Sequence, residues 1–326
     1  MTKAWIIILC LVVAGSLLAA CQTELAPEIA TDSPAQSSTP ASTPTEVATP
    51  VVRTFPSDSL IINEDPPRSA LFNINTLAYE LPGMDEVEVV NFTYAMHGDR
   101  QLTLDVYYPP GAPEEAQLPA VVFGIGFRMS MEPLRNAHFF TSWGKLVAAA
   151  GLVGIIYDTE QPDQDLEIVM ELIRKNAGEL RIDASRIGFM SSSNNVPTVM
   201  SYLMQEGRDN IRFSVYYYGP SLTPDHKYSE ELGQYCASGR CLFHELADVT
   251  NVDIDLPLLV VKAGRDLPYI NEGLDHFVEY VRAAGAPVTV LEYEDGGHGF
   301  DTLHTDESAE IIAQTLEFML ASVGSE

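Results

Sequence analysis

Apolar and polar side chains alternate twice early in the chain, in EVEVVNFTYAM (Glu86 to Met96) and in QLTLDVYYP (Gln101 to Pro109), with HGDR between them. A period of two turns one face of each run inward, so the pair predicts an antiparallel hairpin. In the six runs that follow the alternation disappears: LPAVVFGIGF, LVGIIYD, RIGFMS, FSVYYYG, LPLLVVKAG and PVTVLEYED. Continuous apolar runs of this length suit strands covered on both faces, as in a parallel sheet. FFTSWGKLVAAAG, DLEIVMELIRKNAGEL, VPTVMSYLMQEG, INEGLDHFVEYVRAAG and ESAEIIAQTLEFMLASV repeat apolar residues at three- and four-residue spacing, which predicts amphipathic helices. Strands alternating with helices predict an α/β class: a mostly parallel central sheet opening on an antiparallel hairpin, with helices on both faces and right-handed crossovers.

The first 58 residues break this pattern. Lys3 precedes an apolar run from Trp5 to Ala20, interrupted by Gly15 and Ser16, which has the layout of an export signal and is short for a membrane-spanning helix. LAAC, Leu18 to Cys21, resembles the lipobox of bacterial lipoproteins, which implies cleavage before Cys21, lipid on its thiol and a membrane anchor at the cell envelope. Residues 21–58 are mostly Ser, Thr, Pro and Ala with nothing periodic to bury, and are expected to be a disordered tether. That leaves one folded domain over 59–326, and its 46% hydrophobic composition, taken over the chain, is enough for a sizeable core. A net charge of −28 would repel phosphate backbones, so nucleic acid is not an expected partner. In an exported chain Cys236 and Cys241, flanking the short ASGR loop, are expected to pair as a disulfide.

Candidate chemistry concentrates where strands end. RIGFMSSSNNVPTVM (Arg186 to Met200) reads as a strand driving through a sharp turn into a helix. From Gly98 to Phe300 the order of elements, and in particular LIRKNAGELRIDASRIGFM before that turn, resembles the α/β-hydrolase superfamily in its esterase and dienelactone-hydrolase-like branches. The resemblance implies an α/β-hydrolase fold and a nucleophile elbow, Gly-x-Ser-x-Gly in the family because neighbours two places either side must be small. Aligned on Arg186, Ile187 and Gly188, it puts the nucleophile at Ser193, with Ser191 and Asn195 where the glycines stand. Asparagine is bulkier than glycine but tolerates unusual backbone angles. Asn195→Gly is therefore expected to be tolerated, and to raise activity if the side chain narrows the turn. Asp266, closing LLVVKAGRD, and His298, in LEYEDGGHGF, fall where the family carries its acid and its base. Read singly, Ser193 and Asp266 are also reasonable helix caps.

The family's oxyanion donors correspond to the backbone N–H groups of Asn194 and, in the loop FGIGFRMS, of Phe127. Arg128 either reaches a substrate carboxylate or stands in solvent. The stretch from about 220 to 250 is long for a strand-to-helix connection and is expected to be a lid-like insertion, whose His244 either shapes the pocket or packs the insertion down. No HExxH pair, paired CxxC or phosphate-cradling loop occurs, so neither metal nor cofactor is implied. The expected activity is a serine esterase acting on a small ester through an acyl-enzyme. A peptidase or amidase, and a catalytically inactive surface lipoprotein that binds, stand as the alternatives. Oligomeric state is left open.

Overall fold

The computed structural model describes residues 60–63, 76–126, 134–205, 208, 210–222, 251 and 253–324. The expected signal (1–20) and tether (21–58) lie outside them, as do Cys21, Phe127, Arg128, Cys236, Cys241, His244 and all of the expected insertion beyond 222. Among the described residues the strands are β1 Ile61–Asn63, β2 Glu88–His97, β3 Arg100–Tyr108, β4 Leu118–Phe123, β5 Val153–Tyr157, β6 Ile182–Ser192, β7 Ile211–Tyr217, β8 Leu258–Ala263 and β9 Val288–Tyr293. The helices are α1 His138–Ala149, α2 Pro162–Lys175, α3 Val196–Leu203, α4 Pro268–Ala284 and α5 Asp306–Gly324.

All nine strands join one sheet in the order β1-β2-β3-β5-β4-β6-β7-β8-β9. β1, β2, β3 and β5 pair antiparallel in turn, and from β5 through β4 to β9 every pairing is parallel. The alternating pair forms the expected hairpin, and the apolar runs form the parallel part, buried throughout in β5 and β8; β9, at the sheet edge, departs from the expectation, with half-buried and exposed positions mixed. β7 makes this visible. Tyr217 meets Trp143 of α1 and hydrogen-bonds Thr315 of α5, whereas Tyr216, pointing the other way, packs edge-on against Phe277 of α4. Helices α1 and α5 therefore cover one face, and α4 the other.

One buried polar cluster stands out in this apolar interior. The Arg135 guanidinium, just before α1, lies 2.8 Å from both Asp105 of β3 and Asp158 after β5, with all three side chains almost fully buried. Asn91, inside β2, donates to the other Asp105 oxygen at 2.6 Å. Burial pushes the Asp158 carboxyl up, and the Arg135 charge opposes the shift.

Candidate active site

In a parallel sheet, the carboxyl ends of neighbouring strands open onto one edge, where side chains from distant sequence positions can meet. Here β6 ends at Ser192, and a single 3-10 turn, Ser193–Asn195, reverses the chain into α3. The reversal forces Ser193 to φ 54°, the left-handed region that non-glycine residues avoid. The turn survives because its surroundings leave it no room to relax. A Cβ added to Gly219, just after β7, would stand 2.3 Å from the Ser193 carbonyl oxygen. One added to Gly126 would stand 2.8 Å from Asn195 Cα and 2.9 Å from the Asn194 carbonyl.

The strained turn carries the Ser193 hydroxyl to His298, whose Nε2 lies 2.7 Å from Oγ. The Ser193 oxygen therefore faces the imidazole rather than capping α3. On the far side of the ring His298 Nδ1 is 2.7 Å from Asp266 Oδ2, and the other Asp266 oxygen accepts the Leu267 N–H at 2.7 Å. The Asp266 side chain is only 1% exposed and that of His298 42%. A carboxylate only accepts, so Nδ1 carries the proton and Nε2 is left with a lone pair for the serine hydroxyl. The arrangement can draw the proton from Ser193 as its oxygen attacks an electrophile.

The His298 ring is also held on its face. Tyr218 packs against it edge to face with centroids 4.9 Å apart, and the Tyr218 hydroxyl donates to Asp301 at 2.5 Å. Trp143 Nε1 reaches the second Asp301 oxygen at 3.4 Å. Complete burial pushes the Asp301 carboxyl up to about 6, against the lowering effect of its Tyr218 and Trp143 hydrogen bonds, and burial also raises the Tyr218 hydroxyl. Among the described residues no group of three His, Cys, Asp or Glu side chains is placed to hold a metal ion.

Known structures share this architecture. No protein-family model matches the chain, and no curated protein matches it. Among solved structures, a thermophilic esterase of the planctomycete Thermogutta terrifontis is similar over 74% of this chain and 94% of its own, with 17% identity and a TM-score of 0.55. A bacterial heroin esterase is similar over 74% of this chain and 86% of its own, with 16% identity and a TM-score of 0.59. An α/β hydrolase from a Medee basin deep-sea metagenome is similar over 74% of this chain and 99% of its own, with 16% identity and a TM-score of 0.54. The chain has the α/β-hydrolase fold. The Thermogutta esterase has also been solved with propionate, with butyrate, and phosphonylated by sarin.

Against that hydrolase fold the expected site residues divide in two. Ser193, Asp266 and His298, from the ends of β6, β8 and β9, stand within hydrogen-bonding distance in one relay. Asn194 follows Ser193 in the same turn. Phe127, Arg128 and His244 lie outside the described residues. Asn195 departs from its expected part. It sits at φ −82° and ψ −20°, ordinary right-handed backbone, so the unusual angle falls on Ser193 instead. Its side chain spans from the Ser192 carbonyl to the Gly126 N–H after β4. Tyr218 and Asp301 were not singled out from the sequence. One lies in a tyrosine run that reads as core, and the other three residues past His298, where only its position in HGFD could have drawn notice.

Proposed function

We propose that the protein is a serine hydrolase that cleaves a carboxylic ester through an acyl-enzyme intermediate. The observation that carries the reading is Ser193, held at a left-handed backbone angle with its Oγ 2.7 Å from an imidazole that a buried carboxylate orients. Helix caps and core serines need no such strain. Ser193 Oγ attacks the ester carbonyl carbon while His298 Nε2 takes its proton. The tetrahedral oxyanion that forms is met by the Asn194 backbone N–H and, from the loop after β4, by that of Phe127. Collapse breaks the bond to the alkoxy oxygen, which leaves with the proton from His298. Water then attacks the acyl carbon while giving a proton to His298, and the bond to Ser193 Oγ breaks as that oxygen takes the proton back, releasing the acid. Asp266 keeps the Nδ1 proton in place throughout.

The neighbouring esterase that holds propionate and butyrate makes short acyl chains the first substrates to try. With p-nitrophenyl butyrate, Ser193→Ala and His298→Ala should each cut kcat by about 10⁴-fold or more without loss of fold, since such groups act as a unit. Full activity in Ser193→Ala would place the nucleophile elsewhere, and folded wild-type protein without hydrolysis would leave the fold as a binding module. In this reading the enzyme works at the cell envelope, held by lipid on Cys21 through the tether. An intact mass that still includes residues 1–20 would exclude that anchor.

A further inference from the structure

The elbow holds an asparagine where the fold's elbow usually has its second glycine, and this side chain is buried to 3% exposure. It makes two hydrogen bonds in opposite directions. Asn195 Oδ1 accepts the backbone N–H of Gly126 at 2.7 Å, and Asn195 Nδ2 donates to the Ser192 carbonyl at 2.9 Å. The orientation of the amide is forced by its partners, since a backbone N–H can only donate and a carbonyl can only accept. The two partners matter. Ser192 is the last residue before the strained Ser193, and Gly126 belongs to the loop that follows β4, 69 residues away from Asn195 in sequence.

The packing at this contact is as tight as the hydrogen bonds suggest. Besides the Asn195 and Asn194 backbone atoms, a Cβ on Gly126 would meet Thr198 Oγ1 at 2.5 Å. Gly126 therefore lies directly against the elbow, and a glycine at 195 would leave two buried backbone groups, the Gly126 N–H and the Ser192 carbonyl, without these partners. The Gly126 N–H is also spent here, which takes it out of the set of donors that could face a substrate oxygen.

We infer that Asn195 is a positioning residue: its carboxamide clamps Gly126, after β4, to the nucleophile turn, and so fixes the backbone that presents the Ser193 hydroxyl and the Asn194 N–H. The inference rests on Ser193 being the nucleophile. Asn195 touches neither substrate nor the reacting atoms, and it acts through Ser192 and Gly126. The chain thus reaches by a side chain the close apposition that glycines permit elsewhere.

The test compares wild type with Asn195→Gly and Asn195→Asp on p-nitrophenyl butyrate, with intact sites counted by labelling to completion with a fluorophosphonate. Asn195→Gly should lower kcat about 10- to 100-fold, as expected for donors displaced by a fraction of an ångström, with KM changed less than about threefold. Asn195→Asp should be impaired at about pH 8 and recover as the pH falls toward 5. Its neutral carboxyl can copy both hydrogen bonds, whereas the carboxylate repels the Ser192 carbonyl. The ratio of its kcat to that of wild type at each pH is the readout, and a residue that only stabilised the fold would not move it. A glycine variant as fast as wild type, or a ratio flat or falling toward acid, overturns the inference. If Asn195→Gly does not fold, the aspartate series alone decides. A wild-type protein that neither hydrolyses nor labels would instead refute the hydrolase reading. Hydrogen exchange in a peptide spanning Gly126, faster in Asn195→Gly than in wild type, reports the clamp independently of catalysis, and unchanged exchange would refute the clamp itself.

Discussion

Replacing Asp301 with asparagine should cost stability in acid and add it at neutral pH. The carboxyl is fully buried beneath the site and pushed from 3.8 to about 6, mainly by desolvation. Holding it ionised inside the folded protein therefore costs about 3 kcal/mol relative to an ordinary aspartate. The sign follows from proton binding. Below about pH 4 the group is protonated in both folded and unfolded states, and between about 4 and 6 the folded state holds the extra proton, so stability falls as pH rises until the whole penalty is present above about 6. Asparagine cannot ionise, and its carbonyl can still accept the Tyr218 hydroxyl. Its amide nitrogen would face Trp143 Nε1, donor to donor, at a cost of about 1 kcal/mol at every pH. The variant should thus be about 1 kcal/mol less stable than wild type at about pH 3 and about 2 kcal/mol more stable at about pH 7.5, combining the offset with the linkage term. Urea unfolding of both proteins across that range gives the difference, in which groups common to the two cancel. His298 acts electrostatically on the Asp301 carboxyl, so the pair is repeated in the His298→Ala background. A difference that is constant with pH, or that falls toward neutrality, would refute the assignment of a strained buried acid.

Gly219→Ala would drive a Cβ to 2.3 Å from both the Ser193 carbonyl and Val196 Cγ2. It should destabilise the protein by about 1–3 kcal/mol and lower kcat, and an unaffected kcat would mean that the turn is not held from this side. Ser191 is buried, and among the described residues its hydroxyl has no hydrogen-bond partner. Ser191→Ala should therefore leave kcat unchanged and raise stability by about 1 kcal/mol, and a large loss of activity would give Ser191 a part that its position does not indicate.

The sheet was legible because burial on both faces writes itself into composition: LPAVVF and VGIIY have no charged positions, and their neighbours along the chain repeat at helical spacing. Strand β1 was not read. Its three residues are too few for a period, and its place in the sheet comes from pairing with β2. The meeting of Ser193, Asp266 and His298 could be anticipated from their order at strand ends, since a parallel sheet brings those ends to one edge. The use of Asn195 could not. Its backbone conformation is ordinary, and its partner Gly126 comes from a loop far away in sequence, so residue type alone suggested tolerance of an unusual angle rather than a bridge. Tyr218 was hidden for a similar reason. In YYYG it reads as a third core tyrosine, and only the end of β7 beside His298 turns its ring toward the site.

Whether Ser193 is an activated nucleophile is tested most directly by covalent capture. Wild-type protein incubated with a fluorophosphonate at neutral pH should gain the mass of one adduct, and peptide mapping should find it on Ser193, with Ser193→Ala unlabelled and His298→Ala labelled far more slowly. Phosphonylation is within the reach of this fold, as the sarin-modified Thermogutta esterase illustrates. No adduct on folded wild-type protein, or an adduct that maps to Ser191 or Ser192, would contradict the account.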